Sequence, residues 1–306
     1  MRTKAGARTR FTFGVIAVFL FSLAYSACAL PGGVKNATHT RAAVTVAAST
    51  RETAAGAVGA RLDIILARGE IAVAMSPDFA PMEFIDNRKQ GPDQYVGIDP
   101  WFAKYIADEL GVELKIVPVK FDELHDSLKA GKADLAMSGL ARTESRAELY
   151  ELSDYYNNVE DGGHGALVLK CERDRFKTAG SFTGKAVAVQ ESSYQHELLS
   201  EQLPGAIPAF VSDISEGVEK LLVNEVDAIG VDVASGLGIC ENYPDLAMAE
   251  FRFACDAQGN VIGMPKGETA LAGRINEIIA KAAAEDRFSG WIEEAEALAA
   301  EIGWQN

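Results

Sequence analysis

Arg146, Asp232, Ser192 and Ser193 stand beside expected strand ends and helix starts, where polar groups from different elements can act together. A guanidinium such as that of Arg146, in the run TESRAE, is a planar fork that donates two parallel hydrogen bonds to a carboxylate. On the first turn of a helix it reads equally as a solvated arginine. Asp232 follows the run VDAIGV and suits either an ammonium partner or a cap on a helix starting at Val233. Ser192 and Ser193 lie between a strand and a helix, where free backbone N–H groups attract carboxylates and where a serine also serves as N-cap. Gly139, in SGLA, lets backbone come close to another group, and Thr143 is expected to cap the helix bearing Arg146. Metal is not expected: no C-x-x-C occurs, and His39, His125, His164 and His196 lack ligand spacing. Nor does any G-x-x-x-x-G-K-[ST] loop occur, so ATP hydrolysis is not expected of this chain.

The elements that must position these residues alternate between strand and helix. Arg61 to Ala67 has helical spacing and stops at Gly69; Ile71 to Met75 reads as a buried strand. Ile98 to Leu110 puts Ile98, Trp101, Phe102, Tyr105, Ile106 and Leu110 on one helical stripe, read as core, and ends at Gly111. Leu114 to Val119 is a strand, Phe121 to Ala130 a helix and Ala133 to Met137 a strand. The same grammar returns with strands over Ala186 to Val189 and Ala228 to Val231 and helices over Tyr194 to Gln202 and Ile214 to Val223. Strands separated by helices call for parallel sheets covered on both faces, and ligands sit at the carboxyl ends of such strands. The recurrence implies two such sheets, an α/β protein of two doubly wound lobes.

Length agrees, since 306 residues exceed one average domain and suit two lobes of ~100–150 residues. The net charge of -15 repels phosphate backbones, so nucleic acid is not an expected partner. At the amino end, Arg2, Lys4, Arg8 and Arg10 precede the uncharged run Phe11 to Leu23 and the small-residue segment AYSACA. These are the zones of an export signal, residues 1–29, short of the ~20 apolar residues of a spanning helix. Ala27-Cys28-Ala29 offers a simple cleavage site, while Tyr25-Ser26-Ala27-Cys28 resembles a lipobox with Tyr25 in place of Leu. The Ala/Thr/Ser/Gly-rich residues 30–60 read as a flexible leash, which favours lipidation of Cys28 and a tether to the cell membrane. Cys171, Cys240 and Cys255 remain, either reduced or with Cys240 bridged to Cys255.

From Tyr95 to Tyr156 the chain runs YVGIDPWFAKYIADELGVELKIVPVKFDELHDSLKAGKADLAMSGLARTESRAELYELSDYY, then carries GKAVAVQESS, VDAIGVDVASG and GMPKGETAL. In order and spacing this resembles the family-3 bacterial solute-binding proteins, the polar amino-acid receptors of ABC importers. The resemblance covers essentially everything after the leash. It implies the type II periplasmic-binding fold, with two lobes joined by two hinge strands, and no catalysis or cofactor. It implies that lobe 1 comprises residues 61–158 and 262–306, that lobe 2 comprises 163–250, and that 159–162 and 251–261 cross between them. Gly162, Gly163 and Gly165 would ease hinge motion.

The resemblance also assigns roles. Arg146 would hold the carboxylate of an amino acid and Asp232 its ammonium, because burying either ion unpaired costs several kcal/mol. Phe79 and Phe121 would sandwich the aliphatic part, with Ser192 and Ser193 contacting from lobe 2. Ala141 stands where relatives often carry Ser or Thr, so Gly139 and Ala141 are expected to contribute backbone only. Ser76 stands where relatives often carry Asp, which removes one argument for a cationic ligand; Asp78, Glu83 or Glu160 are possible substitutes. The implied partners are an amino acid and an ABC permease, and the implied location is the cell surface or periplasm. Two alternatives are a dehydratase of the cyclohexadienyl type, using Glu160, Asp161 or His164, and a ligand-sensing domain.

Overall fold

The computed structural model describes residues 60–157, 163–255 and 259–303, which lie in one compact unit spanning residues 54–306. The export signal, Cys28 and nearly all of the leash fall outside the described residues, as does Glu160.

Helix α1 (Arg61–Arg68) closes on Gly69 and leads into β1 (Glu70–Met75). A small hairpin of β2 (Phe84–Ile85) and β3 (Tyr95–Val96) follows, then α2 (Ile98–Leu110), stopped by Gly111 in the left-handed conformation. Then come β4 (Glu113–Pro118), α3 (Leu124–Lys129), β5 (Leu135–Ala136), α4 (Glu144–Leu149) and β6 (Tyr150–Leu152). The chain passes into the second lobe, forming β7 (His164–Leu169), β8 (Ala186–Gln190), α5 (Tyr194–Gln202), β9 (Ile207–Val211) and α6 (Ile214–Leu222). There follow β10 (Ala228–Asp232), α7 (Val233–Asn242) and β11 (Leu246–Arg252), before the return to β12 (Gly263–Pro265), α8 (Thr269–Ala284) and α9 (Arg287–Ile302).

Two five-stranded sheets result, in the orders β4-β1-β5-β12-β6 and β11-β7-β10-β8-β9. Both are mixed, which corrects the expectation of parallel sheets. The parallel strands are those joined by helices, β4-β1-β5 and β10-β8-β9. β12 runs antiparallel to β5 and β7 to β10, and beyond these lie the outer antiparallel pairs, β12 with β6 in one lobe and β11 with β7 in the other. Each such pair carries the chain into and out of its lobe. A chain that leaves and returns side by side must run antiparallel, and a bridge between Tyr156 and Asn260 continues that pairing at the crossing. The middles of both crossings lie outside the described residues.

The α3 segment also differs from expectation: its first turn, Phe121–Glu123, is a 3-10 turn, and the α-helix begins at Leu124. That tight turn leaves Phe121 at the strand end instead of on a helix face. Each lobe repeats one device. Asp134 accepts the N–H of Ala72 and pairs with Arg61 and Arg68, while Asp227 accepts the N–H of Ala186 and pairs with Lys185 at 2.9 Å. Cys171, Cys240 and Cys255 are free thiols; Cys240 and Cys255 pack against different clusters of the second lobe.

Lobe 1 is centred on Phe102, fully buried, with ring contacts to Tyr156 at 5.1 Å, Phe288 at 5.0 Å and Trp291 at 5.8 Å. The stripe of α2 is therefore core, and α9 supplies the other half of the cluster. Phe102→Ala is expected to cost about 3–5 kcal/mol in chemical denaturation, because the surrounding rings cannot collapse into the space. A loss below about 1 kcal/mol would contradict this packing.

Candidate functional site

A cavity of about 130 Å³ lies between the lobes, at the carboxyl ends of the strands. Phe79, Phe121, Gly139, Ala141, Arg146, Ser193 and Asp232 all line it; Ser192 does not. The lobes are in contact around it. Gln190 Nε2 donates to Asp78 Oδ2 at 2.9 Å, Arg146 Nη2 to the Ser192 carbonyl at 3.2 Å, and Ser235 Oγ to the Ala80 carbonyl at 3.1 Å.

Arg146 owes its position to local chemistry. Thr143 Oγ1 accepts the Arg146 N–H at 3.2 Å and so fixes the start of α4. From the first turn the side chain points inward, and its Nη1 donates to the Ala141 carbonyl at 2.7 Å. Its guanidinium carbon lies 5.7 Å from the centre of the Phe121 ring, a cation–π contact. Arg146 is 6% exposed, and among the described residues no carboxylate stands within ion-pair distance of it. Burial accordingly lowers its pKa, against weaker opposing fields from Tyr150, Glu197 and Tyr194.

Across the cavity Asp232 ends β10, and its Oδ1 accepts the Ser235 N–H at 2.8 Å. It therefore caps α7 while lining the cavity. Ser193 caps α5 in the same manner, accepting the His196 N–H at 3.1 Å. Ser192, with φ of +63°, occupies the left-handed conformation usual for glycine, and its contribution is the carbonyl that meets Arg146. The sequence alone left the register of this serine pair open by one.

Gly139 has φ of +54°, and a Cβ there would stand 2.7 Å from the Phe79 ring. Only glycine lets the ring lie flat on this backbone. Its N–H is not offered to the cavity but donates to Asp99 Oδ2 at 3.0 Å. The Ala141 carbonyl is likewise taken by Arg146. Phe79 touches the cores of both lobes and so bridges them.

Sequence reasoning named Asp78 and Glu83 only as possible substitutes for an aspartate at position 76, and it missed Asp99, which completes the group beneath Phe79. Asp99, fully buried on the first turn of α2, also accepts from Tyr156 Oη at 2.7 Å. Glu83, 1% exposed, accepts from Ser138 Oγ at 2.6 Å. Asp78 accepts from Ser76 Oγ at 2.6 Å besides Gln190. A signal did exist: Asp99 interrupts an otherwise apolar helix start, and Glu83 an apolar stretch before β2. Burial raises all three carboxyls, Asp78 and Asp99 each to about 6 and Glu83 well above the usual range, the last reinforced by the neighbouring Asp99 charge.

The model of bacterial extracellular solute-binding proteins, family 3, matches residues 71–294. The L-cystine-binding protein TcyJ of Escherichia coli K12 is 28% identical over 222 residues, covering 72% of this chain and 80% of that protein. Among solved structures, an amino acid ABC transporter substrate-binding protein from Streptococcus pneumoniae bound to L-arginine superposes with a TM-score of 0.70 at 31% identity, covering 78% of this chain and 98% of that one. An ancestral amino-acid-binding protein, a precursor of cyclohexadienyl dehydratase, superposes with a TM-score of 0.65 at 26% identity, covering 76% and 98%. The fold is thus the type II periplasmic-binding arrangement.

Raised carboxyl pKa values mean that the folded chain holds more protons than the unfolded one between about pH 4 and pH 6, so these acids subtract stability as pH rises through that window. Glu83→Gln is therefore expected to have a higher Tm than the wild type at pH 8 and to lose that advantage near pH 4, read by scanning calorimetry. A Tm deficit at pH 8 that shrinks toward pH 4 would show that Glu83 stabilises as a carboxylate.

Proposed function

The chain belongs to family 3 of the bacterial extracellular solute-binding proteins, and from that premise we propose that it is an exported receptor for an amino acid that serves an ABC importer. The observation that carries this reading is the Arg146 guanidinium, buried with, among the described residues, only carbonyl oxygens and an aromatic face as partners, on the same cavity as Asp232. Carbonyl dipoles alone leave such a cation under-compensated, and a ligand carboxylate completes it with two parallel hydrogen bonds. Asp232 then takes the ammonium, with Phe79 and Phe121 against the carbon chain and Ser193 contributing from lobe 2.

Hinge motion about the two crossings opens and shuts the cavity, and the shut form is what a permease would read. The hydrogen bonds between Asp78 and Gln190 and between Arg146 and Ser192 span the lobes, as contacts of a shut form should. We take the chain to act by binding alone. The His164 ring lines the cavity, but it is hydrogen-bonded with Gln195 at 3.1 Å and packed edge-on against Tyr194 at 5.0 Å, an arrangement for holding shape. The ancestral precursor of cyclohexadienyl dehydratase that superposes on this chain is itself an amino-acid-binding protein. We also extend the reading to the amino end, with export directed by residues 1–29 and lipidation at Cys28.

A thermal-shift screen over the common amino acids is expected to find one or a few that stabilise the protein, by about 2.7 kcal/mol at a hundredfold excess over Kd. In calorimetry with the best of these, Arg146→Ala and Asp232→Asn are each expected to lose about 2–5 kcal/mol of binding, thirtyfold or more, with unchanged circular dichroism. Asparagine still caps α7, so the second variant removes the charge and keeps the fold. Wild-type affinity in either would remove that residue from the site, and turnover of prephenate would replace the receptor reading with an enzymatic one. For the amino end, Cys28→Ala is expected to move the protein from the membrane fraction to the soluble exported fraction; an unchanged distribution would exclude the lipid tether.

A further inference from the structure

Helix α4 carries the Arg146 guanidinium to the cavity, yet little of its own packing holds it there. It is 6 residues long, Arg146 is its one buried residue, and Leu149 is half exposed. A helix that short is marginal in water, because its first turn is costly to form and is usually offset by burial of an apolar face, which α4 lacks. Its ends must therefore hold it. Thr143 ties the first end, its Oγ1 accepting the Arg146 N–H at 3.2 Å. At the other end, the last carbonyls of a helix have no partner within it and attract cations.

Lys266 meets them. Its Nζ donates to the Ala147 carbonyl, one residue past Arg146, at 2.5 Å and to the carbonyl of Tyr150, the residue that closes the helix, at 3.1 Å. This lysine lies far along the chain, in the turn between β12 and α8. The turn is itself fixed. Pro265 pairs with Tyr150 in the ladder of β12 and β6, and Gly267, with φ of +88°, donates its N–H to Glu151 Oε2 at 3.3 Å. Next to it, Glu268 accepts the Arg61 N–H at 2.9 Å and so joins the turn to α1. Lys266 thus reaches α4 from a frame that belongs to the sheet of lobe 1. Its side chain is exposed, so these two bonds, not packing, are what it contributes.

Resting on the receptor reading, we propose that Lys266 is a positioning residue for the ligand carboxylate: it locks the last turn of α4 to the sheet of lobe 1 and thereby sets where the Arg146 guanidinium stands. Lys266 does not line the cavity and acts only through Arg146. Two parallel hydrogen bonds to a carboxylate tolerate little rotation of the guanidinium fork, so the helix that bears it must not swing. Thr143 alone fixes one point, about which a short helix can pivot; Lys266 supplies the second. The bonds from Arg146 to the Ala141 and Ser192 carbonyls orient the fork at the far end of its flexible side chain.

The test is calorimetric titration of the folded protein with the common L-amino acids, the tightest of which is then paired with its α-carboxamide. The amide keeps the ammonium and the side chain but lacks the carboxylate, so the ratio of acid to amide affinity reads the Arg146 contact alone. In Lys266→Met, which keeps the length of the side chain and removes its donors, that ratio is expected to fall at least about threefold with unchanged circular dichroism. Lys266→Arg, which still donates, is expected to give a ratio nearer the wild-type value than the methionine variant does. A smaller fall in Lys266→Met overturns the proposal, and so does an equal loss of acid and amide, which is what a merely structural lysine would cause. An arginine variant no nearer the wild type overturns it as well. Should Lys266→Met fail to fold, Lys266→Ala, which frees the same carbonyls, is held to the same threshold. If no amino acid binds the wild type, the receptor reading falls and this inference with it; if the wild type prefers the acid and the variants keep that preference, this inference falls alone.

Discussion

A guanidinium that is almost entirely buried, answered by two carbonyl groups and an aromatic ring, is an unfinished electrostatic arrangement, and much of the molecule is organised around it. Thr143 fixes the helix start that aims Arg146 inward, the Ala141 carbonyl orients one nitrogen, and Phe121 covers the carbon from the side. A second nitrogen reaches across to Ser192 on the other lobe. The cation is thus both the candidate anchor for a carboxylate and a clasp between the lobes. A ligand anion would strengthen the second role by satisfying the first, which is how binding can favour a shut form.

The mixed sheets serve the same end. Because the chain leaves and re-enters each lobe through antiparallel neighbours, its strands lie side by side, and on the lobe 1 side they do so as far as the bridge between Tyr156 and Asn260. Tyr156 belongs at once to the core of lobe 1, through its ring contact with Phe102, and to the acidic wall of the cavity, through its bond to Asp99.

Most of this architecture was legible in the sequence because its elements follow simple periods. The α2 stripe, the stop at Gly111 and the start of α5 at Tyr194 fall where apolar spacing and glycine put them. Arg146, Asp232 and the two phenylalanines were legible by resemblance, with capping as the local alternative; for Asp232 the structure gives a cap and a place on the cavity together. The antiparallel strands were not legible, since β12 and β6 are three residues each and their direction follows from the long-range crossing. The left-handed Ser192 was hidden because a serine carries no mark of positive φ. Asp99 was passed over, and Glu83 was named without its orientation, because a charge inside an apolar run looks like a helix cap or a surface break until its neighbours in space are known.

The most direct measurement is a crystal structure of the protein with the amino acid that stabilises it best. The ligand carboxylate should lie within about 3 Å of the Arg146 guanidinium, with the ammonium against Asp232, both enclosed between the lobes. A ligand bound elsewhere, or one whose carboxylate points away while Arg146 keeps only its carbonyl partners, would contradict the central claim.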